Sequence, residues 1–166
     1  GVFYGKTVIL ATGAGPRELG VSKEKELTGR GVAYCAACDG NFYRGKTVAV
    51  VGGGNSAVAD ALLLSRIAQK VYLIHRRDSL RATKIYHDAL EKAENVQILW
   101  NSRVTELLHE QKLSGIRVEN LLNAEQTILP ARQILSQFGL SRIPAEVPFD
   151  PTESIRRATH SCFLRT

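Results

Sequence analysis

The chain has no methionine, a single tryptophan, three cysteines and five prolines in 166 residues. Translation starts with methionine, so its absence predicts that the sequence is part of a longer protein. Three cysteines do not make the disulfide framework of a small secreted domain, and the close pair Cys35 and Cys38 suggests chemistry instead. The apolar runs, such as residues 48–51 and 71–74, fall far short of the roughly 20 residues of a membrane helix. The opening Gly1-Val2-Phe3-Tyr4-Gly5 shows no basic stretch, apolar core or cleavage site of a secretory signal. The expectation is a soluble, cytoplasmic protein with no membrane partner. Lysine is absent after Lys112, and four of the five prolines fall within residues 130–151. The last stretch therefore differs in character from the rest.

What is present fits a compact domain: 44% of residues are hydrophobic and 23% are charged. The net charge of +6 favours anionic partners, phosphate among them. Residues 7–10 read as a strand that ends in a tight loop over residues 11–16, and residues 18–31 as surface linker at a domain boundary. Residues 46–51, 52–55, 56–68 and 71–75 read in order as strand, turn, helix and strand, a βαβ unit. A solvated amphipathic helix is predicted over residues 81–93 and a strand over 96–100. Residues 104–108 and 116–118 flank the polar stretch 109–115 as a hairpin. From residue 130 only Ile134, Leu135 and Phe138 suggest a helical face, and no element is assigned. The fold class implied is α/β, a Rossmann-like sheet with a β-meander.

Gly52-Gly53-Gly54-Asn55-Ser56-Ala57 supplies G-x-G-x-x-A between a predicted strand and a predicted helix. The first glycine allows the sharp turn, the second lets backbone approach a pyrophosphate, and Ala57 lets helix and strand pack closely. Free N–H groups at the helix start face the phosphates. At the end of the next strand, where an NAD site places an acidic residue for the ribose, stand His75, Arg76 and Arg77, with Arg81 one turn on. Guanidinium groups attract a 2′-phosphate that a carboxylate would repel, so the expected nucleotide is NADPH.

Cys35-Ala36-Ala37-Cys38-Asp39-Gly40 brings two sulfurs within reach of one disulfide, leaving the first open to attack, and Asp39 beside them could move a proton. The C-x-x-C spacing alone is ambiguous. In combination with Ala11-Thr12-Gly13, the glycine turn and the basic cluster, in this order and spacing, it carries a resemblance. From about Val8 to about Leu129 the sequence resembles bacterial low-molecular-weight thioredoxin reductase.

That resemblance implies an NADPH-binding domain over residues 21–129 that carries the redox pair and is inserted into an FAD-binding domain. Residues 1–20 would be a remnant of the FAD domain and 130–166 an atypical tail, frameshifted or incomplete. It implies FAD and NADPH as cofactors, electrons passing from NADPH through FAD to Cys35–Cys38, and thioredoxin as the partner. Cys35 would attack thioredoxin, Cys38 would lie nearer the flavin, Asp39 would exchange protons, and Ala11, Thr12 and Gly13 would touch FAD. Full-length members would form homodimers and alternate two domain orientations, with hinges near residues 13–31 and Leu129. The family's first glycine fingerprint and late Gly-Asp motif are not among these residues, so the chain alone is expected to retain little FAD.

Three other readings compete. Alkyl hydroperoxide reductase flavoproteins share the cysteine box but carry an acidic residue where Arg76 stands. A zinc module would use Cys35, Cys38, His160 and Cys162, and an NADPH-binding fragment would lack flavin turnover. His87 and His109 read as surface side chains. Nucleic acid is not an expected partner, because no basic run is interleaved with aromatics.

Overall fold

The computed structural model describes residues 14–137 and 140–142. The expected strand at 7–10, the Ala11-Thr12-Gly13 contacts, His160 and Cys162 lie outside them. The described chain runs β1 Ala14–Pro16, β2 Val32–Ala33, α1 Ala36–Asp39, a 3-10 turn Gly40–Tyr43, β3 Thr47–Val51 and α2 Asn55–Ser65. It continues with β4 Lys70–Ile74, α3 Ile85–Glu91, β5 Val96–Leu99, β6 Ser102–His109, β7 Leu113–Asn120, β8 Gln126–Pro130, β9 Gln133–Ser136 and β10 Leu140–Arg142.

A five-stranded parallel sheet in the order β2-β9-β3-β4-β5 forms the centre. Successive side chains of a strand point to opposite faces, so each strand feeds two cores. Val48 and Val50 of β3 pack with Val58, Ala61 and Leu64 of α2 and with Leu90 of α3. Ala49 and Val51 face the other way, against Leu107, Leu113 and Ile116 of the antiparallel meander β6-β7-β8. The result is helices, sheet and meander in three layers, the Rossmann-like arrangement expected.

Four differences from the sequence reading have physical causes. Ala14–Pro16, read as loop, pairs antiparallel with β10. The helix expected over 81–93 spans only Ile85–Glu91, and the residues before it fold onto the glycine turn, with the N–H groups of Arg81 and Ala82 bound to Gly53 O, at 2.7 and 3.2 Å, and that of Thr83 to Asn55 Oδ1. Exposed β8 is an edge strand with no buried face to betray it, and its Pro130 sits where no ladder donor is needed. Ile134 and Leu135, read as a weak helical face, belong to β9, which is fully buried between β2 and β3.

Candidate functional site

Because all five strands are parallel, their carboxyl ends share one edge, and the chain order reverses between β3 and β9. Ligands of open α/β sheets bind at such a switch point. The register pairs Val51 with both Ile74 and Ser136. One residue further on, His75, Gly52 and Gln137 therefore stand side by side, and β2 brings Tyr34 and Cys35 to the same edge.

Gly52 has φ +151°, and a Cβ there would lie 2.6 Å from Gln137 O and 2.8 Å from the Cβ of Ala57. This explains the first glycine and the small residue five positions on together. A Cβ on Gly53 would overlap the His75 ring, a constraint that the G-x-G-x-x-A pattern does not contain. At Gly54, the N-cap of α2, whose carbonyl accepts the Val58 N–H at 3.1 Å, a Cβ would meet open space. Protein packing does not require glycine there, whereas a phosphate drawn onto the helix start would. The turn is braced from outside by the Arg81, Ala82 and Thr83 N–H groups.

A cleft of about 310 Å³ opens over this turn, lined by Gly52, Gly53, His75, Arg76, Arg77 and Arg81, and also by Arg17, Glu18, Leu19 and Gln137. Arg76, Arg77 and Arg81 are exposed, and among the described residues none of them is paired with a carboxylate. Three guanidinium groups without a carboxylate partner make the mouth of this cleft attractive to anions. His75 differs from its neighbours: it is buried, its Nε2 lies 3.0 Å from Ser79 O, and its ring meets Trp100 edge-on. Burial, followed by the nearby arginines, lowers its pKa and favours the neutral ring. It supports the glycine turn from below.

Cys35 and Cys38 form a disulfide with their Cα atoms 5.4 Å apart. The one-turn helix α1 closes the pair, and the Cys38 N–H donates to Cys35 Sγ at 3.1 Å. Cys35, emerging from β2, is half-buried, whereas Cys38 faces solvent because Ala36 occupies the inner side of α1. Asp39 is half-buried and lines a second cleft of about 540 Å³ with Phe42, Tyr43, Arg30, Lys46 and Lys112. Burial, and after it the Asp39 charge, pushes the Tyr43 phenol up to about 12. The sulfurs are bonded to each other and not free to hold zinc. Among the described residues no group of His, Cys, Asp or Glu could hold a metal ion, and no helix is long and apolar enough to cross a membrane. His87 lies half-buried on α3, and His109 is exposed at the end of β6.

Sequence reasoning missed Gln137, Arg17, Glu18 and Leu19. Only the unread strand β9 could have announced Gln137.

A parallel sheet with a glycine turn at its switch point and a C-x-x-C disulfide on the same edge defines a nucleotide-fold redox domain. The chain belongs to the pyridine nucleotide-disulphide oxidoreductase family, whose pattern matches residues 3–150. It is 42% identical over 139 residues to a thioredoxin reductase of Listeria monocytogenes, covering 83% of this chain and 44% of that protein. It is 40% identical over 149 residues to a thioredoxin reductase of Bacillus subtilis, covering 89% and 46%. Among solved structures, a thioredoxin reductase of Lactococcus lactis matches with TM-score 0.78 and 40% identity, over 81% of this chain and 45% of that one. The chain thus spans less than half the length of these relatives.

Proposed function

We propose that the chain is the nucleotide-binding and disulfide-bearing part of a thioredoxin reductase, an NADPH-dependent enzyme that works with FAD in the cytoplasm. The observation that carries this reading is that the glycine turn, the free arginines and the Cys35–Cys38 disulfide stand at strand ends along one edge of a single parallel sheet. NADPH would place its pyrophosphate on Gly52–Ala57, with Gly54, Asn55 and Ser56 at the helix start. Its 2′-phosphate would lie on Arg76, Arg77 and Arg81, with His75 holding Gly53 in place. Bound FAD would relay two electrons from NADPH to the disulfide, and Ala11, Thr12 and Gly13 are proposed to contact it. Because β9 completes the parallel sheet, we extend the nucleotide-binding unit from the expected end at 129 to Ser136.

Reduction of Cys35–Cys38 takes up two electrons and two protons and frees two thiols. One thiolate attacks the thioredoxin disulfide, forming a mixed disulfide and releasing one thioredoxin thiolate. The second then attacks that bond, which restores Cys35–Cys38 and leaves thioredoxin as a dithiol. Asp39, next to Cys38 in the chain, would hand over the proton. Cys38 is the exposed sulfur, so we assign it the contact with thioredoxin, which exchanges the roles that the resemblance implied.

Trapping distinguishes the two assignments. Cys35→Ser and Cys38→Ser chains are each mixed with oxidised thioredoxin, and the mixed disulfide is followed by mass. The Cys35→Ser chain is expected to trap at least tenfold faster. Faster trapping by Cys38→Ser restores the original roles, and no trapping by either overturns thioredoxin as partner.

A further inference from the structure

The disulfide and the nucleotide cleft meet at one side chain. Gln137 leaves β9, the strand between the cysteine-bearing and glycine-bearing strands, and its N–H donates to Val51 O at 2.8 Å. Its carbonyl lies against Gly52, and the residue is part of the cleft lining. Its Nε2 donates to Tyr34 O at 3.1 Å and to Asp60 Oδ2 at 2.6 Å. Tyr34 precedes Cys35, and Asp60 lies on α2, the helix that starts at the glycine turn. Both amide hydrogens of Gln137 are therefore spent, one on the cysteine loop and one on the nucleotide-binding helix.

A second strut joins the same two places. The buried Glu24 accepts the Tyr34 hydroxyl at 2.9 Å and the N–H groups of Leu19 and Gly20 at 2.8 and 2.9 Å, and Leu19 lines the cleft. Tyr34 is thus held at its carbonyl by Gln137 and at its hydroxyl by Glu24.

We propose that Gln137 is a positioning residue that couples the redox state of Cys35–Cys38 to nucleotide affinity in the cleft. The disulfide holds the segment from Tyr34 to Cys38 in the form that Gln137 grips. Reduction by two electrons and two protons separates the sulfurs and releases that segment. Gln137 then loses a fixed acceptor on one side while its backbone still abuts Gly52. The nucleotide therefore binds the disulfide form more tightly, and by reciprocity it lowers the reduction potential of the pair. This rests on reading the cleft as the NADPH site.

The test equilibrates the 166-residue chain in graded dithiothreitol redox buffers, with and without saturating NADP+, which supplies no electrons. The disulfide fraction is read by alkylation and mass, and NADP+ binding is measured separately. NADP+ is expected to shift the dithiol–disulfide equilibrium about fivefold toward the disulfide, roughly 21 mV for a two-electron couple. Gln137→Ala should reduce the shift below about twofold, whereas Asp60→Asn, which keeps an acceptor for the amide, should preserve it. Gln137→Met, which keeps the stem and lacks both donors, is read beside Gln137→Ala so that a folding defect in one leaves the result intact. Binding of NADP+ without a shift, or a full shift in the Gln137 variants, overturns the coupling and leaves the nucleotide site standing. No binding of NADP+ to the unaltered chain overturns the site and the coupling together.

Discussion

The two functional ends of this sheet edge are built differently. The glycine turn is braced by Arg81, Ala82 and Thr83 N–H groups, by the His75 ring below it and by Ala57 behind it. The cysteine pair sits on a two-residue strand and a four-residue helix, with one sulfur facing solvent. A binding turn gains from being formed before the ligand arrives, since little ordering remains to oppose binding. A thiol that must meet a partner gains from a short support, held here one residue away, at Tyr34, by Gln137 and Glu24. The difference is one of anchoring, with β9 beneath both ends.

The largest expected effect comes from cutting that shared support. Ile134 is fully buried in β9 and packs toward the meander. Ile134→Ala should lower the unfolding free energy by about 2–5 kcal/mol, measured by urea denaturation, and weaken both ends together. A loss below about 1 kcal/mol would mean that β9 is not a core strand.

A smaller effect sharpens the contrast through pH. Burial raises the Asp60 carboxyl to about 6, so its neutral form is favoured in the fold. Its contribution is present in full below the unfolded value of about 3.9 and is lost as pH rises through about 6. Asp60→Asn should therefore match the unaltered chain near pH 4 and exceed it by about 1–2 kcal/mol at pH 7, allowing for partial exposure. Unfolding curves at the two pH values check this, and a constant difference would contradict it. The buried His75 acts in the opposite direction. Its pKa is lowered, so its contribution is present above about 6.5 and is lost as pH falls.

Much of the nucleotide end was legible because its constraints are local. A strand, a glycine turn, a helix and a second strand follow one another within 30 residues, and the arginines lie at the end of that unit. The disulfide pair was legible only in combination with the other motifs, because the C-x-x-C spacing by itself is ambiguous. The partners that the chain brings from a distance were not legible. β9 is four residues long, and its apolar pair is bounded by Gln133 and Ser136, which read as loop residues. In the fold these polar ends are buried and satisfied, Gln133 by the Tyr43 hydroxyl and Ser136 by Arg17 O at 2.8 Å. Without β9, neither Gln137 nor the switch point had a visible place. The relative exposure of the two cysteines depended in the same way on which face of α1 packs inward. His75 shows what motif reading leaves out: besides lining the cleft, its buried ring fills the space where a side chain on Gly53 would stand.

The central claim is that the cleft over Gly52–Ala57 is built for a dinucleotide carrying a 2′-phosphate, and calorimetry of the 166-residue chain with NADPH and NADH tests it most directly. Charge-assisted contacts of about 1.5–3 kcal/mol each predict at least a tenfold preference for NADPH, lost in large part when Arg76 and Arg77 are both replaced by alanine. Equal affinity for the two nucleotides, or a preference that survives the double replacement, would contradict the account.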